Sequence, residues 1–186
     1  MLDATTKLPL KDPALFRQAN YIAGAWVQAD SGKTIAVRNP ATGEVIGEVP
    51  AMGQAETRRA IEAANAAWPA WRAMLAKDRA VILHKIAALM HENSDDLAAI
   101  MTAEQGKPLA EAKGEVVYAA SFIEWFADEG RRVQGETIPQ NAKGRRILVT
   151  KEPIGVFAAI TPWNFPSAMI TRKAGPGWAA GCTGVI

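Results

Sequence analysis

The segment Val156-Phe157-Ala158-Ala159-Ile160-Thr161-Pro162-Trp163-Asn164-Phe165-Pro166 carries the strongest indication of the fold. Its first five residues form a continuous apolar run, which is typical of a parallel strand covered on both faces. The remaining residues form a loop that two prolines restrain. Ser167 is predicted to cap a helix that ends near Ala180, and residues 182–186 begin a second strand. Strand, loop, helix and strand in this order form the crossover of an α/β sheet.

The rest of the chain is predicted to consist of short extended segments and amphipathic helices. Pro69 predicts a kink or a break in the first helix, Ser94 is the expected N-cap of the third, and Pro108 is the expected first residue of the fourth. The fourth helix is expected to bury Val116, Ala120, Ile123, Phe126 and Val133. The spacing of apolar and turn residues predicts helices over 54–75, 77–92, 94–106 and 108–132, and extended segments over 21–27, 35–37, 45–49, 137–139 and 146–150.

Composition excludes several classes of protein. The chain has 186 residues, of which 49% are apolar, and a formal charge of +2, so it lacks the basic excess of a dedicated nucleic-acid-binding protein. Its single cysteine, Cys182, excludes an intramolecular disulfide framework and a cysteine-based zinc site. The sequence contains no apolar run of about 18 residues, so it predicts no membrane span. We interpret residues 1–20 as a polar leader, because they lack the apolar core of a secretory signal. We expect a protein of the reducing cytoplasm.

Few side chains suggest chemistry without further information. Asn164 is the one residue of the loop whose side chain donates through an NH₂ group, so it is either an oxyanion donor or an ordinary turn asparagine. His84 and His91 are seven residues apart on one helix face, and we interpret them as solvated or half-buried rather than as metal ligands. We interpret the segment Glu104-Gln105-Gly106-Lys107 as a helix end with its cap. The helical glutamates Glu104, Glu111, Glu115 and Glu124 are interpreted as surface residues or packing partners.

Four segments resemble the aldehyde dehydrogenase superfamily, and the resemblance extends from about Tyr21 to Ile186. The first is the loop Ile160-Thr161-Pro162-Trp163-Asn164-Phe165-Pro166. The order in which the four occur makes the resemblance specific, and it is strongest to the succinate-semialdehyde dehydrogenase branch. The other three are Glu104-Gln105-Gly106-Lys107-Pro108-Leu109-Ala110-Glu111-Ala112, Tyr118-Ala119-Ala120-Ser121-Phe122-Ile123-Glu124-Trp125-Phe126-Ala127 and Met169-Ile170-Thr171-Arg172-Lys173-Ala174-Gly175-Pro176.

The resemblance implies roles for five residues. Asn164 matches the asparagine whose amide stabilises the oxyanion formed on the aldehyde, a contribution of about 3 kcal/mol. Thr161, Pro162, Trp163 and Asn164 match the loop that lines the nicotinamide side of an NAD or NADP site. Arg172 matches an arginine that faces the distal carboxylate of a semialdehyde, where a planar guanidinium offers two parallel hydrogen bonds.

The resemblance also implies an α/β fold, namely the N-terminal part of an aldehyde-dehydrogenase-like, Rossmann-type cofactor domain with β-hairpin arms. The N-terminal β arm and the helices of this domain are expected over 21–136, and the first strand-loop-helix-strand unit over 153–186. The hairpin at 137–152 is expected to mediate homo-oligomerisation by joining a neighbouring subunit's sheet. The implied activity is NAD(P)-dependent oxidation of succinate semialdehyde to succinate. The alternatives are a different aldehyde substrate or a noncatalytic truncated fragment.

The sequence departs from the family pattern in three ways. The nucleophilic cysteine, the general-base glutamate and the catalytic domain have no counterpart here, so we expect a piece of a longer enzyme that is inactive alone. Cys182 lies at the start of a predicted buried strand and is interpreted as a small apolar residue. Gly177 and Gly184 stand where the family has other residues, and because glycine weakens helices and strands we expect looser packing there.

Overall fold

A computed structural model describes residues 8–186. These residues form eight short strands and five α-helices, in the order four strands, four helices, three strands, one helix and one strand, with 3₁₀ turns at Pro13–Leu15 and Gly130–Arg132. The helices are α1 (Gln54–Ala73), α2 (Ala76–Glu92), α3 (Ser94–Gln105), α4 (Leu109–Glu129) and α5 (Pro166–Ala179). The strands are β1 (Asn20–Ile22), β2 (Ala25–Val27), β3 (Thr34–Arg38), β4 (Val45–Pro50), β5 (Glu136–Ile138), β6 (Ile147–Val149), β7 (Val156–Ala158) and β8 (Thr183–Val185). The predicted order of elements is therefore confirmed.

The strands pair two by two. Three pairs are antiparallel hairpins, β1–β2, β3–β4 and β5–β6. The fourth pair, β7–β8, is parallel, with Phe157 opposite Gly184 and α5 as the crossover between the two strands. This is the strand-loop-helix-strand unit that the apolar run predicts.

The helical core lies between α2, α4 and α5. Alanines dominate the contact surfaces, which allows the helix axes to approach closely, and Leu83 and Ile123 are the largest side chains fully buried there. The predicted burial of Val116, Ala120 and Ile123 is confirmed. Val133, however, is 51% exposed, because α4 ends at Glu129 and the following 3₁₀ turn carries the chain away from the core.

Of the two alternatives predicted at Pro69, a kink or a break, the break is wrong. Helix α1 is continuous from Gln54 to Ala73, and Pro69 lies on its exposed side. Two tryptophans on either side of the proline hold the helix against the end of α5. The indole nitrogen of Trp68 donates to the Gly181 carbonyl at 3.1 Å, and that of Trp71 donates to the Trp178 carbonyl at 3.0 Å. These tertiary contacts offset the hydrogen bond that the proline removes.

Four predicted helix starts are shifted by one or two residues, including that of α2, which begins at Ala76 instead of Lys77. Asn93, not Ser94, is the N-cap of α3, and Pro108 is the N-cap of α4 rather than its first residue. Helix α5 begins at Pro166, so Ser167 lies inside its first turn. Proline suits an early helix position because its ring fixes φ and the amide that it lacks has no partner there.

The parallel pair is less covered than the apolar run predicts. Strand β7 ends at Ala158, and Ile160, two residues further on, is 90% exposed. Pairing with β8 ends at Val185, so Ile160 lies beyond the last strand partner that the described residues supply. The strand is therefore shorter than the predicted 156–160, and its continuation at Ile160 is uncovered among the described residues.

The expectation of loose packing around Gly177 and Gly184 is also wrong. The aromatic ring of Phe157 lies directly against both glycines, one on α5 and one on β8, so that a β-carbon at either position would overlap the ring. The absence of a side chain at these two positions is what admits Phe157 between helix and strand.

We expect Gly184→Ala to destabilise the fold by about 1–3 kcal/mol, since the added methyl group overpacks the Phe157 site. Denaturant unfolding of the purified chain, followed by tryptophan fluorescence, measures the change. Gly114→Ala is the matched control because a β-carbon there meets no neighbouring atom, and we expect it to be neutral or slightly stabilising. Adding Phe157→Leu to Gly184→Ala should recover part of the lost stability. Equal stability of the Gly184→Ala and Gly114→Ala variants would contradict the overpacking of Phe157.

The described part of the predicted polar leader is attached to α3. The backbone amides of Lys11 and Asp12 donate to the two carboxylate oxygens of buried Asp96 at 2.9 and 2.8 Å. Lys113 and Lys11 both contact Asp95, and their hydrogen bonds lower the pKa of that carboxyl group to about 2. Residues 1–7 lie outside the described residues. Within 8–186, every helix is too short or too polar to cross a bilayer.

Candidate functional site

The loop between β7 and α5 presents the predicted site residues at the carboxyl end of a parallel strand, where open α/β sheets bind ligands. Pro162, Trp163 and Asn164 are exposed, with Trp163 79% exposed, whereas Thr161 is half-buried. The structure therefore places all four residues of the predicted cofactor loop on one accessible edge.

A buried ion pair holds the far end of this loop. Glu115 of α4 and Lys107, which precedes that helix, form a salt bridge, and their side chains are only 1% and 9% exposed. The Lys107 ammonium also donates to the Asn164 carbonyl at 3.1 Å and lies 4.0 Å from the centre of the Phe165 ring. Lysine thus compensates the buried carboxylate and contacts the loop directly.

The other oxygen of Glu115 caps α5. It accepts hydrogen bonds from the backbone amides of Ser167 at 2.9 Å and Ala168 at 3.2 Å. These amides have no partner inside the helix, and a carboxylate at a helix N-terminus is favoured by the helix dipole. The Glu115 side chain, which comes from α4, therefore caps α5 in place of Ser167, the cap predicted from the sequence.

A cavity of about 450 Å³ opens beside the loop. Its wall combines the ion pair with polar and aromatic side chains, and Asn164 forms part of that wall. A small molecule that enters it meets charged, amide and aromatic groups. The lining residues are Lys107, Glu111, Gly114, Glu115, Tyr118, Asn164 and Phe165.

Arg172 lies on α5, less than two turns beyond Pro166. It is exposed, and its guanidinium carbon lies 5.2 Å from the centre of the Phe122 ring. Phe122 in turn packs edge-on against Tyr118, with 4.7 Å between ring centres, and Tyr118 lines the cavity. The two aromatic rings thus connect the predicted carboxylate-binding arginine with the cavity that contains Asn164.

Sequence reasoning missed the roles of Lys107 and Glu115, which it interpreted as a helix-end residue and a surface or packing residue. The signal was available for Glu115. Its neighbours at helical spacing, Ala112 and Ala119, are apolar in sequence and fully buried in the structure, so their face of the helix indicates burial of Glu115 as well. The partner of a buried glutamate, however, is supplied by tertiary packing.

The remaining candidates lie apart from this site. His84 and His91 pair with Asp128 and Glu124 at 3.2 and 3.3 Å on an exposed surface. Among residues 8–186, no group of three or more His, Cys, Asp or Glu side chains could hold a metal ion. Cys182 is buried just before β8.

Comparison with known proteins identifies the class of protein to which this fold and loop belong. The aldehyde dehydrogenase family model matches residues 26–186. The glutarate-semialdehyde dehydrogenase of Pseudomonas aeruginosa is 67% identical over 179 residues, which are 96% of this chain and 37% of the relative. The NADP⁺ succinate-semialdehyde dehydrogenase of Escherichia coli is 62% identical with the same coverage. A succinate-semialdehyde dehydrogenase structure from Burkholderia pseudomallei superposes with a TM-score of 0.94 at 63% identity, covering 95% of this chain and 37% of that one.

The chain belongs to the aldehyde dehydrogenase family, and the α/β fold that the sequence predicts is confirmed by these structural neighbours. It spans a little over a third of the length of the relatives that it matches.

Proposed function

We propose that this chain is the N-terminal part of an NAD(P)-dependent dehydrogenase that oxidises a carboxylate-bearing semialdehyde, with succinate semialdehyde as the substrate and succinate as the product. The observation that carries the proposal is the placement of Asn164 in the wall of a cavity whose aromatic side leads to the exposed guanidinium of Arg172. The Asn164 amide can stabilise an oxyanion, and the Arg172 guanidinium can bind a distal carboxylate. The relatives are named for substrates that carry both an aldehyde and a carboxylate.

In the proposed reaction the side chain of Asn164 donates a hydrogen bond to the aldehyde oxygen as negative charge develops on it. A donor fixed in advance stabilises that charge without reorganising during the reaction. Arg172 binds the distal carboxylate and so sets which carbon of the substrate reaches Asn164. We place the nucleophilic cysteine in the part of the enzyme outside these residues, because the single cysteine of this chain, Cys182, is buried.

The loop fits the nicotinamide end of NAD or NADP. Trp163 and Ile160 expose large apolar surfaces at the carboxyl end of β7, and a flat ring can cover such surfaces. Thr161, Pro162, Trp163 and Asn164 would hold this end of the cofactor. When bound, NAD(P)⁺ supplies the hydride acceptor for the oxidation.

Glutarate semialdehyde is the second candidate substrate, because the 67% identical relative is named for it. It differs from succinate semialdehyde by one methylene group, and a hydrophobic pocket discriminates such a difference by about 10- to 200-fold. The ratio of kcat/KM for the two semialdehydes therefore decides between them.

The domain organisation expected from the sequence, including the Rossmann-type cofactor domain, is part of this proposal. The hairpin β5–β6 supports an oligomerisation arm at 137–152, since it is an isolated antiparallel pair that exposes Ile138, Leu148 and Val149. Exposed apolar strands with free edges add readily to a neighbouring sheet.

The proposal is tested with a chimeric enzyme in which residues 1–186 replace the matching segment of the Pseudomonas aeruginosa relative. We expect the chimera to reduce NAD(P)⁺ in the presence of succinate or glutarate semialdehyde, measured by NAD(P)H absorbance. Residues 1–186 alone should give no signal. A folded chimera without semialdehyde oxidation, beside an active parental relative, would contradict the proposed function. If residues 1–186 alone were active and Cys182→Ala abolished that activity, Cys182 would be the nucleophile. This result would contradict the assignment of the nucleophile to the other segment.

A further inference from the structure

We propose that Lys107 and Glu115 are positioning residues that hold the Asn164 loop in its reactive geometry. The proposal rests on the function proposed above, because it gives these two residues a role in presenting Asn164 to the aldehyde oxygen. Neither residue touches the reacting atoms in this account. Each acts through the backbone of residues 164–168.

The contacts of the pair run along a continuous stretch of chain. Lys107 contacts the carbonyl of Asn164 and the ring of Phe165, and Glu115 accepts from the amides of Ser167 and Ala168. Pro166, between them, has no amide hydrogen to offer. The pair therefore contacts four of the five residues from 164 to 168.

Burial makes these contacts restrictive. Both side chains are almost completely withdrawn from solvent, so neither can exchange its partner for water at low cost. A carboxylate that caps two amides and an ammonium that binds one carbonyl leave the peptide after Asn164 one favourable orientation. Pro162 restrains the chain two residues before Asn164, so the residue is fixed from both sides.

A purely structural salt bridge would behave differently. A buried ion pair adds little net stability compared with neutral residues of similar volume, so stability alone does not explain the arrangement. Its hydrogen bonds go to the Asn164 loop and to the first turn of α5, which are the elements that aim the amide. Because a displacement of about 1 Å can cost on the order of 10²-fold in rate, control of this loop matters directly for kcat.

The test uses Lys107→Met together with Glu115→Gln in the chimera. Glutamine keeps an acceptor oxygen for the two α5 amides, methionine is an unbranched side chain one atom shorter than lysine, and no unpaired charge remains buried. We expect kcat for the semialdehyde to fall about 10- to 30-fold while KM changes by less than about twofold. In an Asn164→Ala background the same double change should alter kcat by less than about twofold, because its effect passes through that side chain.

The matched control removes an exposed ion pair at the end of the same helix, Glu129→Gln with Arg132→Met. We expect it to leave kcat and KM unchanged. Hydrogen exchange of the peptide spanning 161–170 provides a measurement that is independent of activity. Exchange in this peptide should become about fivefold faster or more in the Lys107/Glu115 variant and remain unchanged in the control.

Unchanged exchange in the 161–170 peptide would overturn the proposal. So would a loss of kcat that is as large in the Asn164→Ala background as in the parent, since the pair would then act by another route. A parallel loss of kcat, substrate affinity and thermal stability would also overturn it and leave a structural role. If the unmodified chimera oxidises no semialdehyde, the proposed function fails, and hydrogen exchange still decides whether the pair orders the loop.

Discussion

Asn164→Ala in the chimera is expected to lower kcat for the semialdehyde about 10²- to 10³-fold with little change in KM. In the proposed reaction, the amide of Asn164 meets a neutral carbonyl oxygen in the bound substrate and a charged oxygen in the transition state. A donor fixed beside the cavity therefore contributes mainly as charge develops, so its loss affects kcat more than binding. Steady-state rates of NAD(P)H formation at saturating cofactor measure the effect.

Asn65→Ala is the control for this substitution, because Asn65 is an exposed asparagine on α1 that does not line the cavity. We expect it to leave kcat unchanged. An Asn164→Ala variant that retains the parental kcat would remove Asn164 from the oxyanion site. Asn164 would then be an ordinary loop residue whose carbonyl accepts from Lys107.

Arg172→Ala is expected to lower kcat/KM for succinate semialdehyde about 30- to 1000-fold, which corresponds to about 2–4 kcal/mol for a charge-assisted contact in a partly dry site. Butanal has the same number of carbons and no carboxylate, so its kcat/KM should stay the same or rise. The ratio of the two values, measured for both enzymes, isolates the contact with the carboxylate.

Two further variants sharpen the test of Arg172. Arg172→Lys should recover only part of the loss, because an ammonium keeps the charge without the planar pair of donors. Arg58→Ala, which removes an exposed arginine on α1, should leave kcat/KM unchanged for both aldehydes. If Arg172→Ala lowered kcat/KM equally for succinate semialdehyde and butanal, the assignment to a carboxylate-bearing substrate would be wrong, and family membership alone would stand.

Local chemistry in the sequence was sufficient to predict the order of the elements and the fold class. The apolar run that begins at Val156, the restrained loop and the helix that follows specify a crossover unit because periodicity and proline act within a few residues. The motif around Asn164 likewise identified the family, which the comparisons confirm. These features depend on residues that are close together in the sequence, so the sequence alone is enough to predict them.

Long-range packing decided the rest. Helix α1 passes through Pro69 because Trp68 and Trp71 bind carbonyls more than 100 residues away. Gly177 and Gly184 strengthen the packing instead of loosening it, because Phe157 from another element occupies the space that they leave. Glu115 caps α5 from α4, and Lys107 reaches the loop 57 residues further along the chain. The effect of a buried charge or of a glycine depends on the group that packs against it, and only folding brings that group from a distant part of the sequence.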